Sequence, residues 1–354
     1  MLRNVFPYTL EWIEFHAVQG VDHFVLYDDD SRDESTTLIP LLYASPFHNA
    51  TNQMLFPPVV EVVQANFFRN NRQSDHGSLD HDHNQRACLK HCHIRYKDTS
   101  TWMLIIDVDE FIYSPRHGTI RQFLQAYENY TDNLTADHVT EFQASAVRFG
   151  SSGLQSDFYS ELLPNAFEGV LTVLFEKSVQ GKEEPGLIIE ANPRRAPHRE
   201  LDRNFDAVFQ ATCPSIPNGP VKCQHALGKS IFRPDRCRKP YIHWCANLTS
   251  GTSINMPLAE LRLDHFAWRS AESVSRMTSN WQGNKIIVFD QLDRVWFSKV
   301  EDEAKKPYVE PVRRALGRFP TTAVEWSAKA HPKPQWWLNQ MAALGRHVTV
   351  PLFT

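Results

Sequence analysis

Met103-Leu-Ile-Ile-Asp-Val-Asp-Glu-Phe-Ile112, entered through Trp102, is the stretch on which the reading of this chain turns. Met103 to Ile106 is a short unbroken apolar run, the pattern of a strand buried on both faces of a mostly parallel sheet. It runs into three acids, Asp107, Asp109 and Glu110. Extended backbone alternates its side chains, so Asp107 and Asp109 are expected to point one way and Glu110 the other. Two carboxylates on one side of a strand end make half a cage for a hard divalent cation, which takes oxygen ligands and is often shared with substrate phosphates. Acids that only solvate a strand end or cap the next helix are the competing reading.

Working outward, His23-Phe-Val-Leu-Tyr27 repeats the plan and runs into Asp28-Asp29-Asp30-Ser31-Arg32-Asp33. Ligands of open α/β sheets bind beyond the carboxyl ends of strands, so both acidic clusters are expected to face one crevice. The ordinary alternative is a polar turn in which Ser31 or Asp33 caps a helix at 34–44. Apolar spacing predicts further helices at 9–20 (capped by Thr9, ended by Gly20), 84–97, 119–127 and 270–281. It predicts strands at 59–64, 143–149, 170–175, 187–190, 229–234, 241–244 and 261–265. The class is α/β. Residues 69–83 carry Asp75, His76, Asp80, His81, Asp82 and His83 at irregular spacing and read as a hydrophilic loop rather than a metal site. Cys88, His91 and Cys92 share a helix face, but no fourth zinc ligand stands at a defined spacing, so core packing or a disulfide is expected for Cys92.

The chain has 354 residues, 42% of them hydrophobic, and a net charge of −4 with a pI near 6.5, which argues against a nucleic-acid surface. No apolar run approaches the roughly 20 residues of a membrane span. Sequons at Asn49, Asn129, Asn133 and Asn247, and six cysteines with four crowded between 213 and 245, suit a secretory compartment and disulfides in a loop-rich region. A cytosolic protein with unpaired thiols is the alternative. Spacing does not choose among the fifteen pairings that six cysteines allow.

Several segments resemble glycosyltransferase family 92, the group that includes plant galactan synthases. They are Glu11-Trp-Ile-Glu-Phe-His16, Gly20-Val-Asp-His-Phe24 and Leu26-Tyr-Asp-Asp-Asp-Ser-Arg-Asp33, then Gln85, Cys92 and Arg95, then Asp107-Val-Asp-Glu-Phe111 and Phe149-Gly-Ser-Ser-Gly153. Lys229-Ser-Ile-Phe-Arg-Pro234, His243 and Asp264-His265-Phe266 complete the set. The resemblance runs from about residue 3 to 285. It implies a GT-A fold, a Rossmann-like αβα sandwich with a mixed, mostly parallel central sheet over 1–300, and leaves 301–354 as a peripheral extension.

The resemblance also implies inverting transfer of a hexose, galactose foremost, from a uridine diphosphate sugar to a glycan acceptor in the Golgi or secretory lumen. Asp28 falls where the uracil is held. Asp107 and Asp109 match the Asp-x-Asp that binds Mn²⁺ or Mg²⁺ and touches the ribose. His265 is the expected third metal ligand, with His243 next. Lys229 is the expected point charge on the diphosphate, a water-facing strand lysine being its ordinary alternative. Inversion needs one carboxylate as general base. Asp157 is chosen for it, ahead of Glu161 and Glu168.

The chain departs from the pattern at its start, where Met1-Leu-Arg-Asn-Val5 stands in place of a strand ending in Asn-Glu. The first strand, part of the uridine pocket, and a membrane anchor are therefore expected to be missing, through truncation or, for the strand, a real loss of donor binding. Leu154, Val173 and Leu174 replace residues common in the family. Two other readings compete: an inactive or carbohydrate-binding relative, and a haloacid-dehalogenase-type phosphatase with Asp107 as nucleophile and Asp109 as acid/base.

Overall fold

The computed structural model describes residues 2, 5–31, 39–40, 42–44, 47–48, 54–55, 58–65, 79–131, 139–152, 187–212, 228–266, 269, 298 and 300–316. In chain order these form α1 (Phe6–Val18), β1 (His23–Asp28), β2 (Phe47–His48), β3 (Met54–Leu55), β4 (Val59–Gln64), α2 (Leu79–Tyr96), β5 (Met103–Leu104), β6 (Glu110–Tyr113) and α3 (Ile120–Thr131). There follow β7 (Val139–Arg148), α4 (Ile188–Ala191), β8 (Arg194–Arg195), α5 (Phe205–Thr212), β9 (Lys229–Phe232), β10 (Cys237–Pro240), β11 (Cys245–Leu248), β12 (Thr252–Met256), β13 (Arg262–His265), β14 (Val300–Glu301) and α6 (Lys306–Leu316).

The central sheet runs β5-β9-β7-β13-β6, with β12 also pairing β7. β13 and β12 lie parallel to β7, whereas β9 is antiparallel to both β5 and β7 and β6 is antiparallel to β13. The fold is α/β as expected, but this sheet is mixed rather than mostly parallel. β9 and β6 cause the difference, β9 by entering between β5 and β7 against each of them and β6 by closing the far edge against β13. β1 and β4 form a separate parallel pair. Leu2 adds one parallel bridge beside Asp28, where a first strand was expected to be missing.

Alternation along the strands divides the core. Phe111 and Tyr113 of β6, with Val147 and Phe149, pack on α1 and α6. Ile112, Phe142, Ala144, Ala146 and Leu263 face the other way, onto Ile120 and Phe123 of α3. Helices therefore cover both faces of the sheet. Phe15 stands at the centre of the first cluster, edge-on to Phe111, Tyr113 and Tyr308.

Tyr308, Val312 and Leu316 of α6 are buried in that cluster. Residues 301–316, expected to be peripheral, are thus built into the main body, and 317–354 lie outside the described residues. Charge fixes the same segment. Arg195 pairs with Asp302 (2.5 Å) and Asp202 (2.7 Å), while Arg262 pairs with Asp264 (2.6 Å) and Asp302 (3.1 Å), all well buried.

Three local expectations change. α1 begins at Phe6, so Thr9 lies inside it, its hydroxyl donating to the Val5 carbonyl (2.9 Å). Residues 188–191, expected to be strand, are helix. The buried Glu11 carboxyl accepts the Ile188 and Ile189 N–H groups (2.7 and 3.0 Å), two donors that a helix start leaves open. Residues 241–244, also expected to be strand, form the turn between β10 and β11, which the Cys237–Cys245 disulfide closes. Cys88 and Cys92 are free thiols. Cys213, Cys223 and the elements expected at 170–175 and 270–281 lie outside the described residues.

Candidate functional site

The apolar run ends sooner than its sequence suggests. β5 covers only Met103–Leu104, residues 105–107 are irregular, and 108–109 form a turn closed by the Glu110 N–H donating to the Asp107 carbonyl (3.1 Å). The alternation argument fails on this turn. Asp107 and Glu110, expected on opposite faces, converge: the Asp107 N–H donates to Glu110 Oε2 (2.8 Å), and both carboxylates meet the Lys229 ammonium, at 3.0 and 3.1 Å. Lys229 lies on the interior strand β9 with a side chain 1% exposed, so it is no water-facing lysine. Burial alone would lower its pKa, but Glu110 and Asp107 outweigh that and raise it. Glu110 is pushed up to about 7 by burial, in spite of Lys229.

Asp109 is engaged separately. Its carboxylate lies 3.5 Å from His265 Nε2. Burial works against both charges, but each partner's charge prevails, so Asp109 is held well below the usual carboxylate range and His265 is raised. The sheet fixes both residues. The Asp109 carbonyl accepts the Phe266 N–H (2.8 Å), the His265 carbonyl accepts the Phe149 N–H (2.9 Å), and His265 stands between Glu110 and Arg148 in register. α1 braces the same corner. Trp12 Nε1 donates to the Glu110 carbonyl (3.0 Å), while His16 Nε2 accepts the Ile112 N–H (3.3 Å) and Nδ1 donates to the Trp12 carbonyl (2.7 Å). That network requires a neutral ring protonated at Nδ1, in agreement with burial lowering His16 to about 4.

Gly228 sets the depth of Lys229. A Cβ there would stand 1.7 Å from the Ala144 carbonyl oxygen, so only glycine lets β9 approach β7 this closely. The Gly228 carbonyl also meets His243 Nδ1 (2.9 Å), which draws the β10–β11 turn toward the acids, and burial lowers the His243 pKa. His243 therefore reaches the backbone beside Lys229 rather than the pair of Asp109 and His265.

Asp28 is buried at the end of β1, accepting the Ser31 N–H and the Gln64 amide, both at 3.2 Å. Ile106 and Val108, on either side of Asp107, pack against the cluster that holds Phe24 and Leu26 of β1. The two acidic clusters therefore border one core. Asp157, Glu161 and Glu168 lie outside the described residues.

The expected metal ligands fit a divalent ion in part. Two ligands side by side on an ion with bonds near 2.1 Å stand about 3 Å apart, close to the separation of Asp109 and His265. An imidazole among carboxylates suits Mn²⁺ better than Mg²⁺, which prefers oxygen. Asp107, whose side chain is 41% exposed, turns to Lys229. Among the described residues no three His, Cys, Asp or Glu side chains converge on one point.

Glu110, Gly228, Trp12 and His16 were not singled out as site residues from the sequence. The usable signal was Lys229 in the otherwise uncharged run Lys-Ser-Ile-Phe, since a buried lysine requires a buried partner.

A glycosyltransferase family 92 protein of Arabidopsis thaliana is 30% identical over 160 residues, 44% of this chain and 23% of that relative. One from Ricinus communis is 26% identical over 155 residues, again 44% and 23%, and one from Oryza sativa subsp. japonica 24% over 153, 43% and 21%. Each alignment thus spans about a quarter of the curated relative's length. The sequence profile of the family matches residues 5–307, which takes in the Asp107–Glu110 turn, Lys229 and His265: the chain belongs to glycosyltransferase family 92.

Proposed function

We propose that the chain is a metal-dependent inverting glycosyltransferase of GT-A architecture, moving a hexose, galactose foremost, from a uridine diphosphate sugar to a glycan acceptor. The observation that carries this reading is the pairing of Asp109 with His265 across the β6–β13 edge, one turn from the half-exposed Asp107. Asp107, Asp109 and His265 would hold Mn²⁺, and the bound ion would act as a Lewis acid on the leaving diphosphate. Lys229 acts through Asp107. Its buried ammonium fixes that carboxylate and Glu110, and adds positive potential beside the place where leaving-group charge develops. Asp28 is the uracil contact on this reading and Asp157 the general base for the acceptor hydroxyl. The disulfide is consistent with a secretory lumen such as the Golgi. No described helix is long and apolar enough to cross a membrane. The family match leaves the phosphatase reading without support.

Thermal unfolding with uridine diphosphate and Mn²⁺ tests the proposal, alongside chromatography of the sugar released from the donor. Mn²⁺ together with the nucleotide should raise Tm, and chelator should abolish both signals. Asp109→Asn should lose the Mn²⁺-linked rise while lowering the metal-free stability by only about 1 kcal/mol, the worth of one partly buried pair. An unchanged Mn²⁺-linked rise in Asp109→Asn would refute the assignment.

A further inference from the structure

A groove of about 1310 Å³ opens between α2 and the disulfide-closed β10–β11 hairpin. It exceeds the range of roughly 300–1,000 Å³ typical of sites for one small ligand. One wall carries Arg86, Lys90 and Lys97 at near-helical spacing, and the other carries Arg238 and Lys239. Five cations against one lining acid, Asp235, stand out in a chain whose net charge is −4. Asp235 is itself turned to Arg236 at 3.1 Å. Among the residues whose side chains are described, no carboxylate pairs with Arg86, Lys90, Arg238 or Lys239. The groove also contains the rings of Tyr241 and Trp244, with centroids 5.8 Å apart, and Arg86 sits 6.0 Å over the Tyr241 ring. His243 also lines it and bonds to Gly228, the residue before Lys229.

We infer that this groove binds an anionic oligosaccharide, a chain of uronate or sulfated sugars. Aromatic faces take the C–H faces of pyranose rings, while cations on both walls take the carboxylates or sulfates. Its volume suits several sugar units, and His243 in its lining touches the residue before Lys229, which ties the groove to the Asp107–Lys229 corner. The bound chain is therefore the acceptor, an assignment of role that rests on the transferase reading above.

Titration calorimetry on the full chain tests the groove without using activity. The probe is an alginate-derived mannuronate hexasaccharide, compared with the same molecule after its carboxyl groups are reduced to alcohols. The uronate should bind at least tenfold more tightly than the reduced form and weaken as salt rises. Lys90→Glu with Arg238→Glu, both exposed and remote from the Asp107 corner, should cost at least tenfold, and Trp244→Ala should weaken binding with unchanged salt dependence. Saturating uridine diphosphate with Mn²⁺ should leave the uronate bound. Equal binding of the two hexasaccharides, full binding by the charge-reversed variant, equally tight binding of a hexaglutamate peptide, or displacement by the nucleotide would each overturn the inference. Uronate binding in a chain that binds no uridine diphosphate would sink the transferase reading and leave the groove assignment standing.

Discussion

Lys229→Met removes the ammonium that joins Asp107 to Glu110 while keeping most of the side-chain volume. The two partners contribute unequally. Asp107 is 41% exposed, so water and salt screen its share to below about 1 kcal/mol. The Glu110 side chain is 5% exposed, and stranding a buried carboxylate costs about 3–5 kcal/mol. Protonation of Glu110, already raised to about 7, recovers part of that in acid. At pH 8 the expected loss is therefore about 3 kcal/mol, read by urea unfolding followed by tryptophan fluorescence. Glu110→Gln in the same chain should restore roughly 2 kcal/mol, because removing both charges leaves none stranded. A loss under about 1 kcal/mol for Lys229→Met, or a double variant no more stable than the single one, would refute the account of this corner.

Gly228→Ala should lower stability by roughly 3 kcal/mol or more, since a Cβ 1.7 Å from a backbone oxygen can be relieved only by moving β9 off β7; a Tm within a few degrees of the parent would contradict this. Glu11, raised from 4.5 to about 7 chiefly by burial, makes the folded state hold a proton that the unfolded chain releases. Its contribution is complete below pH 4.5 and is lost as pH rises through about 7, by roughly 3 kcal/mol in all at 1.36 kcal/mol per decade. Glu11→Gln should flatten that decline, and unfolding free energies measured from pH 5 to 8 decide the matter. Arg262→Lys should cost about 3 kcal/mol, because an ammonium cannot span Asp264 and Asp302 as the guanidinium fork does; parity with the parent in urea would count against the network.

Periodicity located most elements, because β1, β4, α2 and β13 are governed by which face is buried, and burial is written in local apolar spacing. It misread what depends on distant partners. Residues 188–191 carry an apolar run that suits a strand, yet Glu11, far away in the chain, supplies the acceptors that let them coil. The Asp-Val-Asp-Glu acids were recognisable as a site, but their facing was not. Alternation presumes extended backbone, and the turn at 108–109 breaks it so that Glu110 can meet Lys229. A lysine on a short apolar strand reads as a surface residue until its countercharges, more than a hundred residues earlier, are seen. α6 was misjudged because the charge and proline within it obscured Tyr308, Val312 and Leu316, whose burial depends on α1.

That contact has a consequence for the order of assembly. α1 buries its aromatic face on α6, and Arg195 and Arg262 find a shared counterion in Asp302, so the first described helix waits for almost the latest described segment before its surface is dry. Closure over so long a span is slow. Until then a nascent chain exposes Phe15 and Phe111 and leaves Arg195 and Arg262 with only Asp202 and Asp264 as counterions, a state suited to capture by a chaperone. Ribosome-bound chains stopped short of residue 302 should therefore be cut readily by protease around α1, and chains extended well past residue 316 should resist.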